Sequence, residues 1–495
     1  DEGEFPSRLW QRSSNETLLT LMRNVKTTRI TPAERLLLRR VILSPTREPQ
    51  GEKADELLAE RARLMLALGE AEAAASLVPR LKTEARGVDA ETLAVDVALA
   101  RGDEVTACRR PQSAAALPSG MYWMKLRAVC AILRDDFGRA EFALELATTQ
   151  GLDDPWFINA IFAASGDVPN PPNARFDSGL NIALSTKAEL DTSRITTSPS
   201  RPDLAAAAAQ RPGVPAQLAE QFAALAVEAG LLSPQEQRRI LMARLQDDAY
   251  VPENAIQAAI LASRDSTLTA GEKAQKIERA MRGVRDGDFS GMTATVQLLL
   301  PELKRLPRLP ETAEYAVFFA KVALIVGDNR LAQSWLGAAE SAGFERADEF
   351  EIAKLDAINL ISGGDMSPPS QMAVQDRLIE ASESERQKRE AAKILLLWQG
   401  FDLVLRPEAR TLISQYDDRG ERVSAGRLSA IEAASKDGAI GETALRILAV
   451  TNRAPDRLSA RDVAELISAL RRIGADDIAR SLAVEAAGIW PEKLS

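Results

Sequence analysis

Three acidic residues near position 420 have the types and spacing that could bind a divalent metal. Asp417, Asp418 and Glu421 follow the order Asp-Asp-x-x-Glu, and carboxylate oxygens one helical turn apart can converge on a hard cation such as Mg²⁺. A solvated loop is the other interpretation, because the stretch QYDDRGERVSAG has a central glycine and the chain has no second motif of this kind. We favour the loop interpretation and expect neither a metal site nor a cofactor. The alternative function is a helical enzyme that binds a divalent metal at these three carboxylates.

The composition excludes the commonest catalytic arrangements. None of the 495 residues is histidine, so Ser-His and Cys-His nucleophiles, zinc sites with imidazole ligands and histidine pH switches cannot form. A phosphate-binding loop of the form GxxxxGK[ST] is also missing from the sequence. We expect a protein that is not an enzyme.

The two cysteines, Cys108 and Cys130, are too few for a thiolate metal site. They are either two buried thiols or, in an oxidising compartment, a disulfide between neighbouring helices. The chain begins Asp-Glu-Gly without methionine, so we expect that a preceding segment was removed. Both observations favour the bacterial periplasm, with the cytoplasm as the alternative.

The charge balance argues against nucleic acid as a partner. The chain has 62 Lys and Arg against 71 Asp and Glu, a net charge of −9, and an acidic chain attracts phosphates poorly. A helical-repeat RNA binder would need a basic groove assembled locally. No run approaches the roughly 18 uninterrupted apolar residues of a membrane-spanning helix, so we expect no membrane span.

A repeat with a period of 33 residues organises the part of the chain before residue 150. A turn residue is followed five positions later by alanine, and the same spacing returns twice near the other end of the chain. The pairs are Gly69 with Ala74, Gly102 with Ala107, Asp135 with Ala140, Gly327 with Ala332, and Gly474 with Ala479. A glycine suits the left-handed end of one helix, and the alanine allows the next helix to pack closely. The spacing predicts antiparallel helical hairpins.

This pattern resembles the tetratricopeptide repeat, whose period is about 34 residues. The resemblance covers roughly residues 53–150, 312–342 and 459–491, and it is clearest in the turn and second helix. The early aromatic residue of the family's first helix is mostly missing, since Met124, Ala316 and Val463 stand in its place. The resemblance implies an all-α α-solenoid whose surface binds other proteins.

Proline separates two helical regions. The stretches VPNPP, TTSPSRPD and RPGVP lie between Gly166 and Pro215, and proline at this density prevents a long continuous helix. We predict an N-terminal helical-repeat arm at 1–165, a proline-rich connecting segment at 166–215 and a C-terminal helical-repeat arm at 216–495. The segment is either an interdomain linker or a strap along the solenoid, and GLNIALSTKAEL within it predicts one short helix.

Taken together, these features predict a scaffold or adaptor that binds protein partners within a larger assembly. The kind of protein that this chain resembles suggests a multisubunit machine of the bacterial envelope, such as a secretion system, a pilus or a flagellar motor.

Overall fold

All regular secondary structure in the described part of the chain is helical, apart from one isolated bridge between Glu421 and Leu458. The structure is a computed structural model. It describes residues 3–27, 30–47, 50–77, 90–113, 120–166, 169–193, 201–245, 250–284, 288–341, 346–364, 366–416, 418–451 and 455–489. The prediction of an all-α fold is therefore confirmed.

The described residues form 26 α-helices. The first thirteen are α1 Asn15–Asn24, α2 Pro32–Leu43, α3 Ala54–Ala67, α4 Ala71–Leu77, α5 Ala90–Arg101, α6 Glu104–Ser113, α7 Met121–Leu133, α8 Phe137–Thr149, α9 Pro155–Ala164, α10 Gly179–Lys187, α11 Pro202–Ala208, α12 Ala216–Glu228 and α13 Pro234–Arg244. The others are α14 Ala255–Arg264, α15 Ala270–Arg282, α16 Phe289–Arg305, α17 Ala316–Ile325, α18 Asn329–Ser341, α19 Arg346–Gly363, α20 Pro368–Glu380, α21 Glu385–Gln399, α22 Pro407–Gln415, α23 Ala425–Lys436, α24 Ile440–Thr451, α25 Ala460–Arg472 and α26 Asp476–Ala487. Short 3₁₀ helices cover Pro310–Tyr315 and Pro455–Arg457.

Local capping chemistry determines where several helices begin. Thr31, Ser233 and Thr269 each accept a hydrogen bond from the main-chain N–H three residues later, and the glutamate at that position bonds back to the capping residue. These reciprocal bonds satisfy N–H groups that a helix start otherwise leaves without partners. None of the helices within the described ranges is long and apolar enough to cross a membrane.

The chain divides into two compact units. One consists of Asp1–Glu60 with Val251–Ser495, and the other is Arg61–Tyr250. We call them the discontinuous unit and the continuous unit. These boundaries differ from the three segments expected from the sequence, because residues 1–60 group with the second half of the chain and the proline-rich segment lies inside the continuous unit.

Sequential helix pairs build the discontinuous unit. Helices α17 and α18, α19 and α20, α21 and α22, and α25 and α26 pack as neighbours, and the first helices of the pairs also pack side by side, α17 against α19 and α19 against α21. This packing is consistent with a solenoid. The last helix, α26, also contacts α17, α19 and α21, while α1 and α2 cover α24 and α26.

Helix α5 lies at the centre of the continuous unit. It contacts α4 and α6, its neighbours along the chain, and also α10 and α11 from the proline-rich segment. Gly179 at the start of α10 lies so close to α5 that an added Cβ would be 1.7 Å from the carbonyl oxygen of Asp96. The described part of the segment is therefore packed against the helices of this unit, as in the strap interpretation.

Candidate functional site

The five turn residues of the repeat all have left-handed backbone conformations. Their φ angles are 81° at Gly69, 91° at Gly102, 58° at Asp135, 73° at Gly327 and 78° at Gly474. After each turn residue, the next N–H bonds to the carbonyl five residues earlier, as from Asp103 to Ala98 and from Asp328 to Ala323, both at 2.9 Å. This hydrogen-bond pattern ends the first helix and reverses the chain direction.

Acidic residues after the turn begin the second helix. Asp103, Asp136 and Asp328 each accept a hydrogen bond from the main-chain N–H three residues later, at 3.1–3.2 Å. A carboxylate at this position satisfies a free N–H and complements the positive end of the helix dipole. The acidic residue of the sequence pattern thus acts as an N-cap at these three hairpins.

The alanines of the pattern lie at contacts between helices. Ala74, Ala107, Ala140, Ala332 and Ala479 are all fully buried. Each is one turn into the second helix of its hairpin, where a larger side chain would need space that the close-packed interior does not have. The repeat residues are therefore structural, and the chemistry of any binding surface must come from other positions.

Cys108 and Cys130 form a disulfide between consecutive helices. Cys108 is on α6 and Cys130 on α7, their Cα atoms are 5.8 Å apart, and both side chains are buried. Helix α6 is the second helix of one hairpin and α7 the first of the next. The bond therefore fixes one hairpin to its neighbour within the continuous unit.

A row of paired charges crosses the first helices of the hairpins in the discontinuous unit. On α17 the amino group of Lys321 is 3.0 Å from Glu351 of α19, and on α19 the amino group of Lys354 is 2.8 Å from Glu351 and 3.0 Å from Glu390 of α21. Because the carboxylates bridge from each helix to the next, this ionic ladder links three successive hairpins.

The ladder shifts the pKa values of its own members. Burial alone would raise the pKa of Glu351, but Lys354 and Lys321 outweigh burial and hold that pKa below its ordinary value. Burial alone would lower the pKa of Lys354, but Glu351 and Glu390 raise it. Glu351 and Lys354 are therefore both charged at neutral pH, and the face of these helices is polar.

A cavity of about 600 Å³ opens on this charged face. Its walls come from α15, α17, α19 and α21, and residues 487–489 at the end of α26 close one side.

The sequence carries a signal for this site that the hairpin pattern does not use. Glu351 and Lys354 repeat as Glu390 and Lys393, each pair with the spacing Glu-x-x-Lys and the two pairs 39 residues apart.

The acidic motif near residue 420 has a structural role at Asp418. One of its oxygens accepts hydrogen bonds from the Ser459 hydroxyl at 2.6 Å and the Arg461 N–H at 3.1 Å, and the other accepts from the Gly420 N–H at 3.2 Å. Burial alone would raise the pKa of Asp418, but these bonds outweigh it and lower the pKa. Asp418 therefore holds the chain at the start of α25.

Glu421, the other member of that motif that the structure describes, has different partners from Asp418. The main chain of Glu421 pairs with Arg457 and Ser459, its side chain is exposed, and Asp417 lies outside the described residues. Over the described ranges, no group of three Asp, Glu, Cys or His side chains is placed to hold a metal ion.

No protein-family model, curated protein or solved structure matches the chain.

Proposed function

We propose that this protein is a non-enzymatic scaffold or adaptor that binds other proteins through a tetratricopeptide-like helical-repeat surface. The observation that carries the proposal is the recurrence of one turn geometry, with a buried alanine five residues later, at five places along the chain. Stacked hairpins of this kind present a row of first helices along one face, and such faces are suited to extended binding surfaces.

The charged face of α17, α19 and α21 is the surface that we assign to partner binding. Its lysines and glutamates are fixed by ion pairs between helices, so little side-chain freedom remains to be lost on binding. Charges arranged in this way favour specificity and association rate more than raw affinity. A partner segment of alternating charge fits this face.

The test is affinity purification from native cells with one charge reversed at the edge of the cavity. Arg386 on α21 lines the cavity with 85% of its side chain exposed, so Arg386→Glu should fold normally and release a genuine partner. Lys436→Glu on α23 is the matched control, because Lys436 is 61% exposed and does not line the cavity. A partner retained equally by both variants would contradict the assignment of this face.

We also propose that the protein works in an oxidising compartment, the bacterial periplasm, as part of a multisubunit envelope complex. The Cys108–Cys130 disulfide supports this location, since disulfides persist in oxidising compartments and are rare in the cytosol. Thiol counting on unfolded, unreduced protein from native cells tests it. Two free thiols would favour the cytoplasm instead.

A further inference from the structure

Lys393 is the last lysine of the row that crosses the first helices of the hairpins. Lys321 on α17 and Lys354 on α19 each have a carboxylate of the following helix 3.0 Å away. Lys393 occupies the equivalent place on α21, three residues after Glu390. Among the residues that the structure describes, no carboxylate of a further helix is paired with Lys393.

The amino group of Lys393 has a main-chain partner instead of a carboxylate. It donates a hydrogen bond to the Asp456 carbonyl at 3.2 Å, and within the described part of the chain no carboxylate oxygen lies within 4.0 Å of it. Lys393 lines the cavity of about 600 Å³ and also a neighbouring cavity of about 460 Å³. Lys393 therefore borders two spaces that a ligand can enter.

The surroundings leave this cation poorly compensated. Burial lowers the pKa of Lys393, the acidic groups Asp456, Asp418 and Glu390 raise it in part, and Lys354 lowers it further. A cation removed from water is costly unless an anion is paired with it. Space for such an anion exists, because Gly488 has no side chain and a Cβ placed there would be 3.9 Å from the Lys393 amino group.

We propose that Lys393 anchors an anion-binding site in this cavity, which takes a carboxylate or phosphate group. The bound group occupies the place of the missing carboxylate in the row and pairs with the Lys393 ammonium. Two sources carry this chemistry: a small anionic molecule and an acidic side chain of a partner. The cavity lies on the face that we assign to partner binding, but binding of a simple inorganic anion tests the site separately from any partner.

The experiment measures the acetylation rate of individual lysines by mass spectrometry on the intact protein between pH 7 and 10. Only the neutral amine reacts, and an anion that binds the ammonium form raises the apparent pKa. At the pH values where the ammonium form predominates, phosphate at ten times its dissociation constant should slow acetylation of Lys393 about tenfold relative to sodium chloride of equal ionic strength. Lys436, exposed and paired with Glu432, is the internal control and should not change.

Three probes separate the two sources. Inorganic phosphate and glutarate test a small anion, and a hexaglutamate peptide tests an acidic segment. Slowing by phosphate and glutarate alone supports the site with a small-molecule ligand, and slowing by the peptide as well supports it with a partner segment. An unchanged Lys393 rate with all three probes overturns the proposal, and so does equal slowing of Lys393 and Lys436, which would indicate general screening. Since the wild-type chain is used throughout, no variant has to fold.

Discussion

Replacing the buried carboxyl Glu485 with glutamine should stabilise the protein in alkaline solution. Glu485 lies on α26 with 4% of its surface exposed, and one of its oxygens accepts a hydrogen bond from the Ala33 N–H at 2.8 Å. Burial raises its pKa from 4.5 to about 8. Hydrogen bonds from Thr31 and Ala33 oppose this rise, and the charges of Glu34 and Asp456 add to it. The folded protein therefore holds a proton on Glu485 at neutral pH.

The direction of the pH effect follows from these two pKa values. Between pH 4.5 and about 8 the folded state binds the proton and the unfolded state does not, so the free energy of unfolding falls as pH rises. The pKa difference corresponds to roughly 5 kcal/mol over the whole range, of which about 2–3 kcal/mol should be lost between pH 6 and pH 9. Glutamine has a similar shape and does not ionise, so Glu485→Gln should remove this loss.

The assay is urea unfolding of both proteins at several pH values from 6 to 9. The absence of histidine leaves this window nearly free of other side-chain titrations, and the difference between wild type and variant cancels those that remain. Glu465→Gln on α25 is the matched control, because that side chain is 49% exposed. Parallel curves for wild type and Glu485→Gln would refute the reasoning and show that this carboxyl is charged or solvated when folded.

Three further predictions concern the hairpins of the continuous unit. Ala107→Leu should overpack a fully buried position and lower the free energy of unfolding by about 1–3 kcal/mol, whereas an unchanged urea midpoint would contradict the hairpin register. Reduction of the Cys108–Cys130 bond, which closes a loop of 22 residues, should cost about 3 kcal/mol by the chain-entropy model, measured by thermal unfolding with and without reductant. Gly179→Ala should lower the free energy of unfolding by about 3 kcal/mol or more, because the new Cβ would overlap the main chain of α5. Gly138→Ala in α8 is the control: a Cβ there would have open space around it, so the free energy of unfolding should stay the same or rise slightly.

The hairpins could be predicted from the sequence because their determinants are local. A left-handed turn residue, an acidic cap and a small buried residue lie within six positions of one another, as at Gly102, Asp103 and Ala107. Some turns of this type lie outside the alanine pattern, and the turn at Gly438 is an example. Gly438 has φ 69° and ends α23, but Thr443 stands five residues later, fully buried with its hydroxyl bonded to the Ala439 carbonyl at 2.9 Å. Threonine is also small enough for this buried position, and the hydrogen bond within the helix satisfies its hydroxyl group.

The contacts that join residues near position 34 to residues 451 and 485 of the discontinuous unit could not be predicted from the sequence. Glu34 closes a capping box with Thr31, which the sequence predicts, and its other oxygen accepts a hydrogen bond from Thr451 at 2.6 Å. Ala33 donates to Glu485, more than 400 residues away. A capping glutamate looks the same whether its second oxygen faces water or a distant hydroxyl, so the local pattern contains no information about this contact.

For the proline-rich segment, the local sequence predicts an interruption of the long helices but does not decide between a linker and a strap. Proline stops long helices but allows short ones, and α10 and α11 both form within the segment. A linker or a strap results according to whether other helices bury the segment, and that depends on residues elsewhere. Buried Asp96 on α5 accepts the N–H of Leu180 and is 3.4 Å from Arg201, while buried Arg211 donates to the Leu99 carbonyl at 2.6 Å and pairs with Glu104. A buried arginine is tolerated only with such partners. The partners of Arg211 belong to the hairpin of α5 and α6, about a hundred residues earlier in the chain, so the sequence of the segment alone does not reveal how it packs.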